Sequence, residues 1–273
     1  MNGSADDMVR NCPRVDILGV PVAAVRLTEV IDMVDRTISG KDQLHIGMVN
    51  AAKVVNMRRD PLLGEDVLSS DIILADGAAI VLAGKVLRRP LPERVAGIDL
   101  MFAMLRLASE KNYRVFCLGA TEEISRDVAH KIAQHYPGVI LAGRRNGYFS
   151  GQEESAVAHE IGSAQADILF VAMTSPKKES FMAKWMDVMN VPVVHGVGGS
   201  FDVMAGKVER APERWQKLGL EWLYRVKQEP RRLWRRYLVT NTLFVWMLLK
   251  ALIGANFARN GQMDSQHSPG PGS

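Results

Sequence analysis

Short apolar runs rich in Val, Ile and Leu recur along the chain at residues 44–49, 72–75, 115–118, 139–142, 168–172 and 191–194. Runs of this length, with few polar positions inside them, read as strands buried on both faces. The segments 99–110, 122–136 and 177–189 instead place apolar residues at three- and four-residue steps, the mark of amphipathic helices. This alternation predicts an α/β fold, a mostly parallel sheet with helices on both faces. In such sheets ligands bind beyond the carboxyl ends of the strands. The rule selects Asn50, Asp76-Gly77, Gly119-Ala120-Thr121, Thr174-Ser175-Pro176 and Gly196-Val197-Gly198-Gly199-Ser200.

Beyond these runs the pattern changes. Residues 12–205 read as the catalytic core and 206–258 as a helical appendage that associates with a membrane, with the ends 1–11 and 259–273 expected to be disordered. Arg225, Arg232 and Arg236 are spaced to share one helical face, with Arg235 close by, and Pro230 either interrupts that helix or begins a new one. The apolar stretch that follows carries Trp246 but is broken by Thr240, Asn241, Thr242 and Lys250, which suits a helix lying in the interface of an anionic membrane. A core-packing helix with a solvated basic face is the other reading of the same residues.

The chain of 273 residues has a formal net charge of +4, so it is only mildly basic overall and the cationic cluster is local. Two cysteines exclude a disulfide framework, and Cys117, inside an apolar run, reads as a buried hydrophobe. Residues 1–11 contain no apolar stretch of signal-peptide length, so a cytoplasmic protein is expected. The histidines lack metal-ligand spacing and no Asp-x-Asp is present, so neither a metal nor any other cofactor is expected. A nucleic-acid role is not expected, because apolar residues follow the arginines and the sheet lacks an aromatic stacking pattern. A homo-oligomer remains compatible with the sequence.

Asp76 ends a strand and precedes a glycine, which exposes its carboxylate where a general base is needed; capping a helix that starts at Gly77 is the alternative. The glycines of the 196–200 loop could cradle a diphosphate or merely allow tight packing. Gly119 heads a second strand-to-helix turn, either a ligand contact or an ordinary connection. Arg94, in a non-periodic stretch, could neutralise a leaving diphosphate or be a solvated loop residue.

Taken in order, Asn50-Ala51, Arg58-Arg59-Asp60-Pro61, Ala75-Asp76-Gly77, Arg94-Val95-Ala96-Gly97-Ile98-Asp99-Leu100, Gly147-Tyr148-Phe149 and Ser175-Pro176-Lys177 form one pattern. It continues through Gly196 to Asp202, Gly206-Lys207-Val208, Arg210-Ala211-Pro212, Leu220 to Arg225 and Glu229-Pro230-Arg231-Arg232. In these blocks the chain resembles the WecG/TagA/CpsF family of bacterial glycosyltransferases, from about Val15 to Tyr237. The resemblance implies a Rossmann-like, metal-independent, inverting transferase using a UDP-sugar such as N-acetylmannosamine or its uronate. Its acceptor would be a polyprenyl-diphosphate-linked saccharide of cell-surface or exopolysaccharide synthesis, met at the cytoplasmic face of the inner membrane by a peripheral protein.

By that resemblance Asp76 is the catalytic base, Arg94 contacts donor phosphate, and Arg225, Arg232 and Arg235 close over the diphosphates. Asn50, Gly77, Asp99, Gly119, Lys178, Glu179, Gly198, Gly199 and Ser200 complete the expected substrate-binding set. Met48 and Lys178 stand where family members often carry Thr and Gln, and a cationic Lys178 near the donor would favour a uronate. Two rival readings compete with this one. A nicotinamide enzyme would need glycines in the turn after the first core strand, where Val49-Asn50-Ala51-Ala52 stands. A non-catalytic member of a polysaccharide assembly complex rests only on the changes at Met48 and Lys178.

Overall fold

The computed structural model describes residues 5–265. The chain opens with α1 (Ala5–Arg10), an antiparallel hairpin of β1 (Arg14–Ile17) and β2 (Val20–Ala23), and α2 (Leu27–Gly40). Disorder is expected for residues 1–11, but α1 packs on α2 and buries Val9, with Cys12 buried just beyond. The two-residue turn of the hairpin holds Leu18 and Gly19 at φ of 55° and 84°, the conformation that matches strand twist in tight hairpins.

The core follows as β3 (Leu44–Val49), α3 (Ala51–Arg59), α4 (Pro61–Leu68), β4 (Ile72–Ala75), α5 (Ala78–Val86) and α6 (Gly97–Lys111). It continues with β5 (Arg114–Gly119), α7 (Glu122–His135), β6 (Ile140–Arg145), α8 (Glu154–Ser163), β7 (Ile168–Ala172), α9 (Lys177–Met189), β8 (Val193–Gly196) and α10 (Ser200–Met204). The six strands are parallel in the order β4-β3-β8-β7-β5-β6, a Rossmann-like sheet with helices on both faces. Side chains on its strands alternate between two cores. Val115 and Cys117 join Met101, Met104 and Val128 on one face, while Phe116 and Leu118 join Val157, Ile161 and Phe181 on the other. Phe116, Phe170, Phe181 and Phe201 are among the largest fully buried side chains, and each such burial is worth roughly 1.5–3 kcal/mol.

Helix starts are set by side chains that satisfy free backbone donors. Asn50 Oδ1 accepts the Lys53 N–H at 3.0 Å to cap α3, and Asp60 Oδ1 accepts the Leu63 N–H at 3.2 Å to cap α4, where Pro61 opens the helix. Both caps lie at turns that lead off β3 and α3, so they also fix where Asn50 and the segment beyond Arg59 stand.

The appendage consists of α11 (Glu213–Lys217), α12 (Glu221–Gln228) and α13 (Pro230–Ser265). Pro230 begins a new helix, as its fixed φ favours. α13 crosses α3, and Phe244 is buried there with Leu243, Met247, Leu248 and Ala251 packed around it. Its other face exposes Leu238, Val245, Trp246, Leu249 and Ile253. By length and composition, Leu233–Gly254 is long and apolar enough to cross a membrane. Residues 259–273 are expected to be disordered; α13 runs on to Ser265, and 266–273 lie outside the described residues.

Candidate active site

β4, β3 and β8 are neighbours, so Asp76, Asn50 and the glycine loop meet along one rim at the carboxyl ends of the strands. The Asp76 N–H bonds to Val49 O at 2.9 Å, and a Cβ on Gly77 would come within 3.3 Å of Asn50 Cβ. Asp76 is half-buried. It does not cap α5, whose N-cap is Gly77 with no side-chain bond. Instead its Oδ1 accepts the Gly97 N–H at 2.9 Å, taking a free donor at the start of α6. Burial raises the Asp76 pKa above the ordinary carboxylate value, and Glu221 adds to the rise. The Gly97 N–H and the charges of Arg94 and Arg225 pull it the other way.

Behind this bond, the buried His195 on β8 places Nε2 3.1 Å from Gly97 O. A carbonyl only accepts, so the proton is on Nε2, and burial, with help from Lys178 and His45, lowers the His195 pKa to about 4. The Gly97 residue is therefore held from both ends, by a carboxylate and by a neutral imidazole.

Arg94, in the linker before α6, bonds Glu221 of α12 at 3.1 Å and lies 3.9 Å from Asp99. Asp99 is gripped by both terminal nitrogens of Arg210 at 2.7 Å each, a bidentate pair. The appendage thus contacts the rim of Asp76 through Glu221 and, electrostatically, Arg225. Arg235 is exposed on α13, and the side chain of Arg232 lies outside the described residues.

In the glycine loop, Gly198 has φ of 51° and open space where a Cβ would be, while a Cβ on Gly199 would lie 3.7 Å from Asp202 Oδ2. Ser200 is buried and turns its hydroxyl inward to Val197 O at 2.7 Å. Gly119 has a packing reason of its own. At φ of 125°, a Cβ there would lie 2.3 Å from Ala172 O, so only glycine fits between β5 and β7.

Lys178 and Glu179 are both buried on the sheet face beneath α9. Lys178 Nζ bonds Glu179 Oε1 at 2.6 Å, and Lys53 Nζ binds the same oxygen. Burial pushes the Glu179 pKa up, but the two lysines overcome it and hold it at about 2. Burial and Lys53 lower the Lys178 pKa to about 8. His45, Lys53, Asp66, Lys178 and Glu179 line a cavity of about 10 Å³. The Lys178 ammonium is therefore matched by a carboxylate beneath the rim.

The model of the glycosyl transferase WecG/TagA/CpsF family matches residues 15–257. The chain belongs to this family. Among its relatives is an N-acetylglucosaminyldiphosphoundecaprenol N-acetyl-beta-D-mannosaminyltransferase of Bacillus subtilis, 34% identical over 223 residues, 81% of this chain and 86% of the relative. A Bacillus spizizenii protein of the same name is 40% identical over 175 residues, 64% of this chain and 67% of the relative. One from Staphylococcus aureus is 30% identical over 243 residues, 88% and 94% of the two chains. The relatives are transferases, and this chain is a glycosyltransferase with them.

The rim brings together Asn50, Asp76, Gly77, Arg94, Asp99 and Arg225, with the 198–200 segment alongside, just beyond β8. Sequence reasoning misses Lys53, His195, Arg210 and Glu221 as members of the site. A histidine in the apolar run before the glycine loop was a visible signal for His195, and a lone acid ahead of Arg225 was one for Glu221. Lys53 gave none, because its partner is 126 residues away.

Proposed function

We propose that the chain transfers N-acetylmannosamine, or a close relative of it, from a UDP donor to a polyprenyl-diphosphate-linked saccharide, with inversion at the anomeric carbon. Asp76 carries this reading: a half-buried carboxylate at a strand end, held by the Gly97 N–H and facing Arg94 and Arg225. Asp76 takes the proton of the acceptor hydroxyl, and that oxygen attacks the anomeric carbon. The bond from that carbon to the donor phosphate breaks, and its electron pair leaves with UDP. A carboxyl raised by burial is a stronger base once ionised. Arg94, Arg225 and the backbone of the 198–200 loop face the charge that develops on the leaving diphosphate. The names of the relatives, which specify a mannosaminyl group and a diphosphoundecaprenol acceptor, support this substrate pair.

A lipid-linked acceptor requires a protein at the membrane. The exposed apolar face of α13, with Trp234 and Trp246 among its exposed side chains, supports a peripheral seat at the cytoplasmic leaflet. The test is UDP release by the purified chain with a panel of UDP-sugars and a short-chain polyprenyl-diphosphate N-acetylglucosamine. Acceptor-dependent release from one donor is expected; release from none, or retention of configuration in the product, overturns the reading.

A further inference from the structure

The Arg58-Arg59-Asp60-Pro61 block belongs to none of the chemistry above, yet Arg58 stands in the last turn of α3, facing the hairpin and α13. Between these three elements runs a groove of about 490 Å³, walled by Leu18, Gly19, Arg58, Trp246, Met247 and Lys250. Its distance from the rim follows from α3 itself. Asn50 caps one end of this helix and Arg58 closes the other, and nine residues span about 13 Å. The groove is therefore separate from the place where the donor diphosphate is proposed to bind.

The groove is cationic. Arg58 donates to Leu18 O at 2.9 Å, and Lys250 Nζ lies 3.8 Å from the centroid of the Trp246 ring. Among the described residues no carboxylate pairs with either cation. The acid in the wall, Asp16, is already engaged by Arg89 at 2.9 Å and by the Gly19 N–H at 3.3 Å. One flank of the groove is apolar. Trp246 belongs to the exposed face of α13 that also presents Val245, Leu249 and Ile253. A ligand suited to both features has an anionic head and an apolar body.

We propose that this groove seats the phosphate headgroup of an anionic phospholipid, with Arg58 and Lys250 binding the phosphate and Trp246 lying at the level of the headgroups. The inference rests on the membrane-facing part of the proposed function and is independent of its chemistry. Seating one lipid here sets the roll of α13 about its axis on the bilayer, and with it the height of the rim above the surface.

The test uses the full chain and vesicles of phosphatidylcholine, with and without phosphatidylglycerol. Each basic side chain near an anionic surface contributes a factor of about five in binding, so Lys250→Gln should weaken attachment to phosphatidylglycerol vesicles by that factor and Arg58→Gln/Lys250→Gln by roughly 25-fold. Attachment to pure phosphatidylcholine should not change. Arg126→Gln/Lys131→Gln, which removes two exposed cations from α7, should leave both unchanged. Because Arg58 also ties the hairpin turn, Lys250→Gln alone carries the test if the double variant is unstable. Water-soluble short-chain phosphatidylglycerol should protect the amides of Leu18 and Gly19 from hydrogen exchange, and inorganic phosphate at equal concentration should not. Wild-type attachment by the Lys250 variant, equal loss in the α7 control, or equal protection by inorganic phosphate each overturns the proposal. UDP release measured without vesicles on a soluble acceptor separates its failure from that of the transferase reading.

Discussion

Gly97 donates its N–H to Asp76 Oδ1 at 2.9 Å, so the first turn of α6 fixes a carboxylate that stands 21 residues earlier in the chain. The bond orients the carboxylate through one of its two oxygens. Asp76→Asn keeps the shape of the side chain but cannot accept a proton. Acceptor-dependent UDP release should fall by at least about a hundredfold, with the melting temperature little changed. Since the Asp76 pKa is raised, the acidic limb of the wild-type rate profile should lie above the ordinary carboxylate range, activity rising with pH as the group ionises. A limb at or below the usual value would remove Asp76 from the role of base.

His195 acts on Asp76 through Gly97, and so is a positioning residue. His195→Phe keeps a ring against Phe170 but removes the imidazole donor to Gly97 O, which keeps its helical bond, at a stability cost of about 0.5–1.5 kcal/mol. The Gly97 N–H should then hold the carboxylate less well. Turnover should fall with KM little changed, and the acidic limb should move further up. A lower melting temperature with an unmoved limb would reduce His195 to a packing role.

Arg94 is occupied by Glu221 at 3.1 Å, so a diphosphate that uses this guanidinium must displace a carboxylate carried by the appendage. Glu221→Gln removes the competing charge while keeping the helix. UDP should bind several-fold more tightly to this variant and more weakly to Arg94→Ala, as titration calorimetry would read. Unchanged affinity in both would place the diphosphate elsewhere.

The strands at 44–49, 72–75 and 168–172 were legible to the residue because both faces of each are buried, which writes an apolar run directly into the chain. The hairpin was not, since its strands have four residues each and include Asp16 and Pro21. The same division holds in the site. Asp76 and Asn50 stand at strand ends, where topology alone directs attention. The partners that tune them are separated by long stretches of chain: Glu221 lies 127 residues from Arg94, and Arg210 lies 111 from Asp99. Local pattern carries no trace of such pairs, which exist only once the sheet and appendage have assembled.

In the buried cluster beneath the rim two ammoniums share the Glu179 carboxylate, with Asp66 on the same cavity wall, so its members should respond unequally to mutation. Glu179→Gln leaves Lys53 and Lys178 side by side without the carboxylate they share and should cost about 3–5 kcal/mol. Lys178→Met keeps the Lys53–Glu179 pair. Because burial holds the folded Lys178 pKa at about 8, below the 10.5 of a free lysine, the charged lysine disfavours folding at neutral pH. Its replacement should therefore be neutral or stabilising. The pH dependence follows from the same shifts. Glu179 is held at about 2 against 4.5 when free, so the stability it contributes is complete above 4.5 and is lost as pH falls toward 2. His45 and His195, lowered to about 4 from 6.5, bind fewer protons folded than unfolded in that interval, so stability already declines as pH falls below 6.5. Melting curves should show an early decline from the histidines and a second from Glu179, the second missing in Glu179→Gln. A Glu179→Gln variant as stable as wild type, with both declines intact, would mean that the cluster is solvated rather than buried.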